Sequence, residues 1–128
     1  MNANGVLASM NFPTMAGFNA RTFTESGDKE TALVMLRAYN DWMIDEWCAG
    51  EGKGRLIPLT MIPLWDAELA AAEVRRSAAL GSHAVAFSEN PHPLGLPSIH
   101  SGHWDPFFTA CQETETVVCM HIGSSSRM

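Results

Sequence analysis

The sequence predicts a parallel α/β fold, and three observations carry that prediction. Short apolar runs alternate with helix-patterned segments at intervals of about 30 residues, the spacing of strand–helix–strand units. The runs are continuously apolar rather than alternating, as in strands covered on both faces. The chain has 128 residues, 46% apolar and 17% charged, the profile of one globular domain that buries a core without disulfides or metals to staple it.

Val6 to Phe12 (VLASMNF) is a short apolar run stopped by Pro13 and reads as a strand. Asn19 to Gly27 is polar and reads as loop. From Asp28 to about Cys48, Leu33, Leu36, Tyr39, Met43 and Trp47 recur every three or four positions, which predicts an amphipathic helix with Asp28 as its N-cap. Three glycines between Gly50 and Gly54 end it. The run Arg55 to Leu64 has strand length, but each of its two prolines removes an N–H, so pairing through Pro58 must be interrupted or the strand core shortened. Asp66 caps the next helix, with Glu68 in its first turn; Leu69, Ala72, Arg76 and Leu80 continue it and Gly81 closes it. Ala84 to Phe87 is a strand. A loop rich in proline and glycine then leads to Asp105-Pro106, an N-cap with a proline at N1. That helix runs to Glu115, and Val117 to Met120 is the last strand.

Two architectures fit this order: a complete doubly wound sheet of four strands, or part of a (β/α)8 barrel. A whole barrel takes about 250 residues, and periodicity alone does not separate the two. Composition narrows the partners. Eight Lys and Arg against 14 Asp and Glu give a net charge of −6, and the basic residues are scattered, which argues against nucleic acid. The apolar stretches break well before the ~18 residues of a membrane helix. No basic segment followed by an apolar one marks a signal peptide. Three separated cysteines (Cys48, Cys111, Cys119) fit reduced, buried thiols, so a cytoplasmic location is expected.

In either architecture ligands sit at the C-terminal ends of the strands. That rule selects Asn11 to Thr14, Leu64 to Asp66, Ser88 to Asn90, and His121 to Ser124, and within them Phe12, Glu89 and Ser124 as substrate-facing candidates. His121 follows Val117 to Met120 directly, where a neutral imidazole can bind a metal; a histidine hydrogen-bonded in the interior is the alternative. His100 and His103 share His-x-x-His spacing, but in a loop with no third ligand nearby. His92 and His83 read as solvent-side, and Asp41, Asp45 and Glu46 as a solvated helix face. Glu89 either supports the site or serves the loop. Gly123 to Ser126 resembles an anion cradle but lacks the spaced glycines and lysine of a phosphate loop. No Gly-x-Ser-x-Gly elbow and no cysteine with an adjacent histidine occurs.

The segments WDAELAAAEVRRSAALGSHAVAFSEN, DPFFTACQETETVVCMH and ASMNFPTMAGF resemble the amidohydrolase-related family of metal-dependent enzymes, in particular the branch of amino-carboxymuconate-semialdehyde decarboxylase. The similarity runs from about Val6 to Ser126. It implies an α/β fold of the partial (β/α)8 TIM barrel kind, about strands two to five with parallel strands and intervening helices, and one incomplete barrel domain over residues 1–128. In that family a divalent metal, usually zinc, is held by a His-x-His pair ending the first strand, a His ending the fifth and an Asp ending the eighth. A further His after the sixth strand takes part in catalysis. His121 matches the fifth-strand ligand; nothing else carries over, because no His-x-His occurs here.

Two departures from the family pattern stand out. Thr114-Glu115-Thr116 precedes the last strand where relatives tend to carry glycine; a positive φ there costs Glu115 roughly 1 kcal/mol. Gly50 to Gly54 replaces a proline-containing turn. The resemblance implies a segment of a hydrolase or non-oxidative decarboxylase acting on a small carboxylated or cyclic substrate, inactive alone because zinc sites of this class need at least three protein ligands. Two other readings remain open. One is a non-catalytic module that self-associates through open sheet edges, as a homo-dimer or with a missing barrel half. The other is a small doubly wound nucleotide-binding domain, against which the absent glycine fingerprint speaks.

Overall fold

The computed structural model describes residues 1–125. Strands β1 (Ser9–Met10) and β2 (Leu56–Ile57) pair in parallel, as do β3 (Ala84–Ser88) and β4 (Val117–His121). A parallel bridge between Thr60 and Val85 joins the two ladders, so the strands lie side by side in chain order. Helices α1 (Arg21–Thr24), α2 (Lys29–Trp42), α3 (Ala67–Ala79) and α4 (Asp105–Glu113) fill the crossovers.

The first two strands are shorter than the apolar runs that announce them. Pro58 ends the β1–β2 ladder by withholding an N–H, and the chain re-forms contact one strand over. There Thr60 N–H donates to Ala84 O (3.1 Å) and Ala86 N–H to Thr60 O (2.8 Å). β4 runs one residue further than expected and includes His121, paired with Ser88.

Each crossover helix begins and ends for a local reason. Asp28 caps α2 through Thr31 N–H (3.0 Å) and Thr31 Oγ (2.7 Å), and Asp66 caps α3 through Glu68 and Leu69 N–H (2.9 Å each). The expected first helix is continuous to Trp47, but its last five residues, Met43–Trp47, form a π-helix. The Asn19 to Gly27 segment is not all loop, since the single turn α1 lies within it. Asp105 is not the cap of α4: Trp104 occupies that position without a side-chain hydrogen bond, and Asp105 stands in the first turn.

α3 and α4 end in the same hydrogen-bond pattern. At the first, Ser82 N–H reaches Ser77 O and Gly81 N–H reaches Ala78 O; at the second, Thr116 N–H reaches Cys111 O and Glu115 N–H reaches Gln112 O. The left-handed position of this motif is filled by Gly81 at φ 97° in one and by Glu115 at φ 53° in the other.

Alternation along β3 divides the packing. Val85 and Phe87 face the helices and join Ile62, Leu64, Val74, Trp104 and Phe107 in the main core. Phe107 stacks on Phe87 at 4.8 Å and Trp104 meets it edge-on at 5.1 Å. Ala84 and Ala86 face the other way and pack with Leu59, Met10, Phe12 and Cys119. Across that face Cys119 Sγ of β4 lies 3.8 Å from Met10 Sδ of β1, so the sheet curls until its outer strands touch.

A second network ties α2 to this frame. Asn40, fully buried, donates to Met61 O (2.9 Å) and accepts from Met61 N–H (2.8 Å). It also donates to Glu73 (2.8 Å), which is fully buried between Arg37 (3.1 Å) and Arg76 (2.7 Å); Arg76 reaches Asp41 at 2.6 Å. Glu73, followed by Asp41, raises the Arg76 pKa against the lowering effect of burial. Among the described residues no helix is long and apolar enough to cross a membrane.

Candidate active site

The C-terminal ends of β1, β3 and β4 bring together Phe12, Phe18, Asn19, Ser88, Glu89, His121, Ser124 and Ser125. His121 is the last residue of β4 and half-buried. Its ring stacks on Phe18, centroids 3.9 Å apart and planes at 21°, and Phe12 meets it edge-on at 5.0 Å. Phe12 thus touches the His121 ring as well as taking part in the inner sheet packing.

The imidazole has a defined hydrogen-bond state. Its Nδ1 lies 2.7 Å from Ile122 O. A carbonyl only accepts, so Nδ1 carries a proton, and in the neutral ring Nε2 is then the nitrogen with the lone pair. No hydrogen bond engages Nε2 among the described residues. A ring held by one nitrogen to a backbone carbonyl, with the other nitrogen free, is the arrangement of histidines that bind metals.

His121 therefore fits as one ligand of a divalent metal. The described residues do not supply the rest: no group of three His, Cys, Asp or Glu side chains is arranged to hold an ion. His100 and His103 are exposed loop residues, His103 lying edge-on to Trp104 at 4.9 Å. His83 is exposed at the opposite end of β3, with Nδ1 2.9 Å from Thr114 O; His92 is exposed in a short 3-10 turn. Asp45 and Glu46 are exposed, as a solvated face requires, whereas Asp41 belongs to the Arg76 pair.

Glu89 and Ser124 do meet, but they meet each other. The Glu89 carboxylate accepts from Ser124 Oγ, from Ser125 Oγ (2.7 Å) and from Ser125 N–H (3.2 Å), while Glu89 N–H donates to Ser124 Oγ (3.3 Å). Burial pushes the Glu89 carboxyl upward, but the hydrogen bonds from Ser124 and Ser125 outweigh it and leave the pKa below the ordinary glutamate value. The anion held by the glycine–serine run is thus the chain's own carboxylate; Ser126 of that run lies outside the described residues. Asn19, buried, closes the other side by donating to Ser124 O (3.1 Å).

Two buried polar atoms at this end have no hydrogen-bond partner among the described residues, Asn19 Oδ1 and Ser88 Oγ. A cavity of about 530 Å³ opens between the loop carrying Phe18, Asn19 and Arg21 and the turn Ile122 to Ser124. Sequence reasoning missed Phe18 and Asn19, which sit in a loop without periodicity. The only signal was the position of that loop after the first strand, where the strand-end rule was applied as far as Thr14. A larger apolar cavity, about 650 Å³, runs along α2 between Phe12, Met35, Tyr39, Trp42 and Trp47. It lies apart from His121, which does not line it.

The cysteines are packing residues. Cys48 and Cys111 are buried and Cys119 half-buried, all as free thiols, and burial raises each thiol, Cys111 to about 11.

Comparison with known proteins places this geometry. The model of the amidohydrolase family matches residues 1–128. Among solved structures, the chain is similar to 5-carboxyvanillate decarboxylase from Novosphingobium aromaticivorans, crystallised with manganese and 3-methoxy-4-hydroxy-5-nitrobenzoic acid. The TM-score is 0.75 at 22% identity, covering 94% of this chain and 32% of that one. The chain therefore spans about a third of that structure's length, and its fold is that of a partial (β/α)8 barrel. No curated protein matches.

Proposed function

The chain belongs to the amidohydrolase family, and on that premise we propose that it is a segment of a divalent-metal-dependent hydrolase or non-oxidative decarboxylase to which it contributes His121 as one metal ligand. The observation that supports this reading most is the state of the His121 ring, fixed through Nδ1 and free at Nε2 at a strand end. Residues 1–128 would form one incomplete barrel domain in the cytoplasm. Further ligands would come from polypeptide outside it. The substrate class is a small carboxylated or cyclic molecule bound at the strand mouth.

A divalent metal held there, zinc or manganese, would supply Lewis acidity. The chain's own residues prepare for it. Phe18 would hold one face of the imidazole and Phe12 meets the ring edge-on, which together orient it. Glu89 and Asn19 hold the turn behind it. With one ligand and no complete donor set among the described residues, the 128-residue chain is expected to carry no turnover by itself.

Manganese titrated into the purified chain tests the assignment, because its paramagnetism broadens nearby NMR signals even at low occupancy. We expect broadening at His121, Phe18 and Ser88 that His121→Ala abolishes. The same broadening in His121→Ala, or none around His121, contradicts it.

A self-associating module is a second reading, favoured by apolar side chains exposed at the strands: Leu7 before β1, Val117 and Met120 in β4, and Ile122 after it. A discrete, cooperatively unfolding dimer on size-exclusion chromatography supports that reading; a monomer counts against it.

A further inference from the structure

The turn that follows His121 is specified from two sides. Ser124 N–H donates to His121 O (3.1 Å), closing a four-residue turn over residues 121–124. Gly123, at its third position, has φ 81°, the conformation that separates a type II from a type I turn. The two types differ by a flip of the central peptide, which turns the Ile122 carbonyl through roughly half a circle. In the observed arrangement that carbonyl accepts from His121 Nδ1; flipped, it would leave the ring without its acceptor.

What holds the turn comes from the neighbouring strand. Glu89 follows Ser88, the register partner of His121. Its carboxylate takes three donors from Ser124 and Ser125, and Asn19 takes the Ser124 carbonyl. The far end of the turn is therefore anchored at four points, while its near end is the strand itself.

We propose that Glu89 is a positioning residue for His121: by gripping Ser124 and Ser125 it keeps the turn in the form that presents the Ile122 carbonyl to Nδ1, and so leaves Nε2 as the coordinating nitrogen. This deepens the reading of His121 as a ligand and rests on it for its consequence. The tautomer itself is measurable without metal.

Long-range nitrogen–proton NMR of the imidazoles, at a pH where histidine is neutral, reports which nitrogen carries the proton. In the wild-type chain His121 should show the Nδ1–H form. In Glu89→Ala it should move to the Nε2–H form that dominates in free histidine. His83, hydrogen-bonded to Thr114 just before β3 at the opposite end of the sheet, should not change. The double variant Ser124→Ala, Ser125→Ala removes the two hydroxyl donors, leaves the carboxylate and the Ser125 N–H in place and should shift the tautomer in the same direction. It decides the matter if Glu89→Ala fails to fold. A wild-type His121 protonated on Nε2, or an unchanged tautomer in a folded variant, overturns the proposal. A failed manganese titration with the tautomer shift intact would instead count against the metal reading alone.

Discussion

The His121 imidazole lies flat against the Phe18 ring, their centroids 3.9 Å apart and their planes within 21°. The contact joins the last residue of the fourth strand to the loop after the first, across the open end of the sheet. It orients the ring without using either nitrogen. Phe18→Ala should cost about 1 kcal/mol beyond the lost burial, read as a lower midpoint in urea denaturation. In the manganese titration it should also weaken the broadening at His121 without removing it. Unchanged broadening would show that the hydrogen bond to Ile122 suffices to place the ring.

The two helix ends that share one hydrogen-bond pattern make opposite predictions. Glu115 sits at φ 53° where Gly81 serves the other helix. Glu115→Gly should stabilise the chain by about 1 kcal/mol, raising the melting temperature by roughly 3–5 °C. Gly81→Ala should lower stability by a similar amount. If the two variants move in the same direction, positive φ is not the controlling factor.

The buried Glu73 provides a test of how α2 is held. Glu73→Ala leaves Arg37, Arg76 and Asn40 without their shared acceptor. The arginines retain access to water, with 40% and 31% of their side chains exposed. The loss should therefore be about 2 kcal/mol, below the range for wholly buried pairs. Glu113→Ala breaks the exposed pair with Arg75 and should change stability by less than about 0.5 kcal/mol. Chemical denaturation of both variants checks the contrast.

Acid should release the turn after His121. The Glu89 pKa is lowered in the folded chain, so its contribution to stability is fully present above the unfolded glutamate value and is lost as pH falls through the folded value. The Ser125 amide, which donates to Glu89, should shift in that acidic window in wild type and not in Glu89→Gln. A shift centred at or above the ordinary glutamate value would contradict the assigned direction.

Much of the frame was legible because it depends on local chemistry. Asp28 and Asp66 announce their helices and Pro58 forecasts the broken strand; the positive φ at Glu115 was suggested only by the resemblance, through the glycine that relatives tend to carry there. His121 was legible because a strand ends on it. The unread parts depend on distant partners. Asn40 and Glu73 look like an ordinary polar helix face until Met61 and the two arginines close around them. Glu89 and Ser124, separated by 35 residues, could be placed at strand ends, but nothing local shows that their polar atoms satisfy each other. Phe18 and Asn19 carry no periodicity that would mark them.

The central claim is that this chain supplies one ligand to a metal barrel completed by other polypeptide. Sequencing several hundred bases on each side of the reading frame tests it most directly. A His-x-His upstream and a His and an Asp downstream, each at the spacing of a (β/α)8 barrel, are expected. Stop codons or unrelated sequence on both sides would contradict the claim and leave His121 without partners.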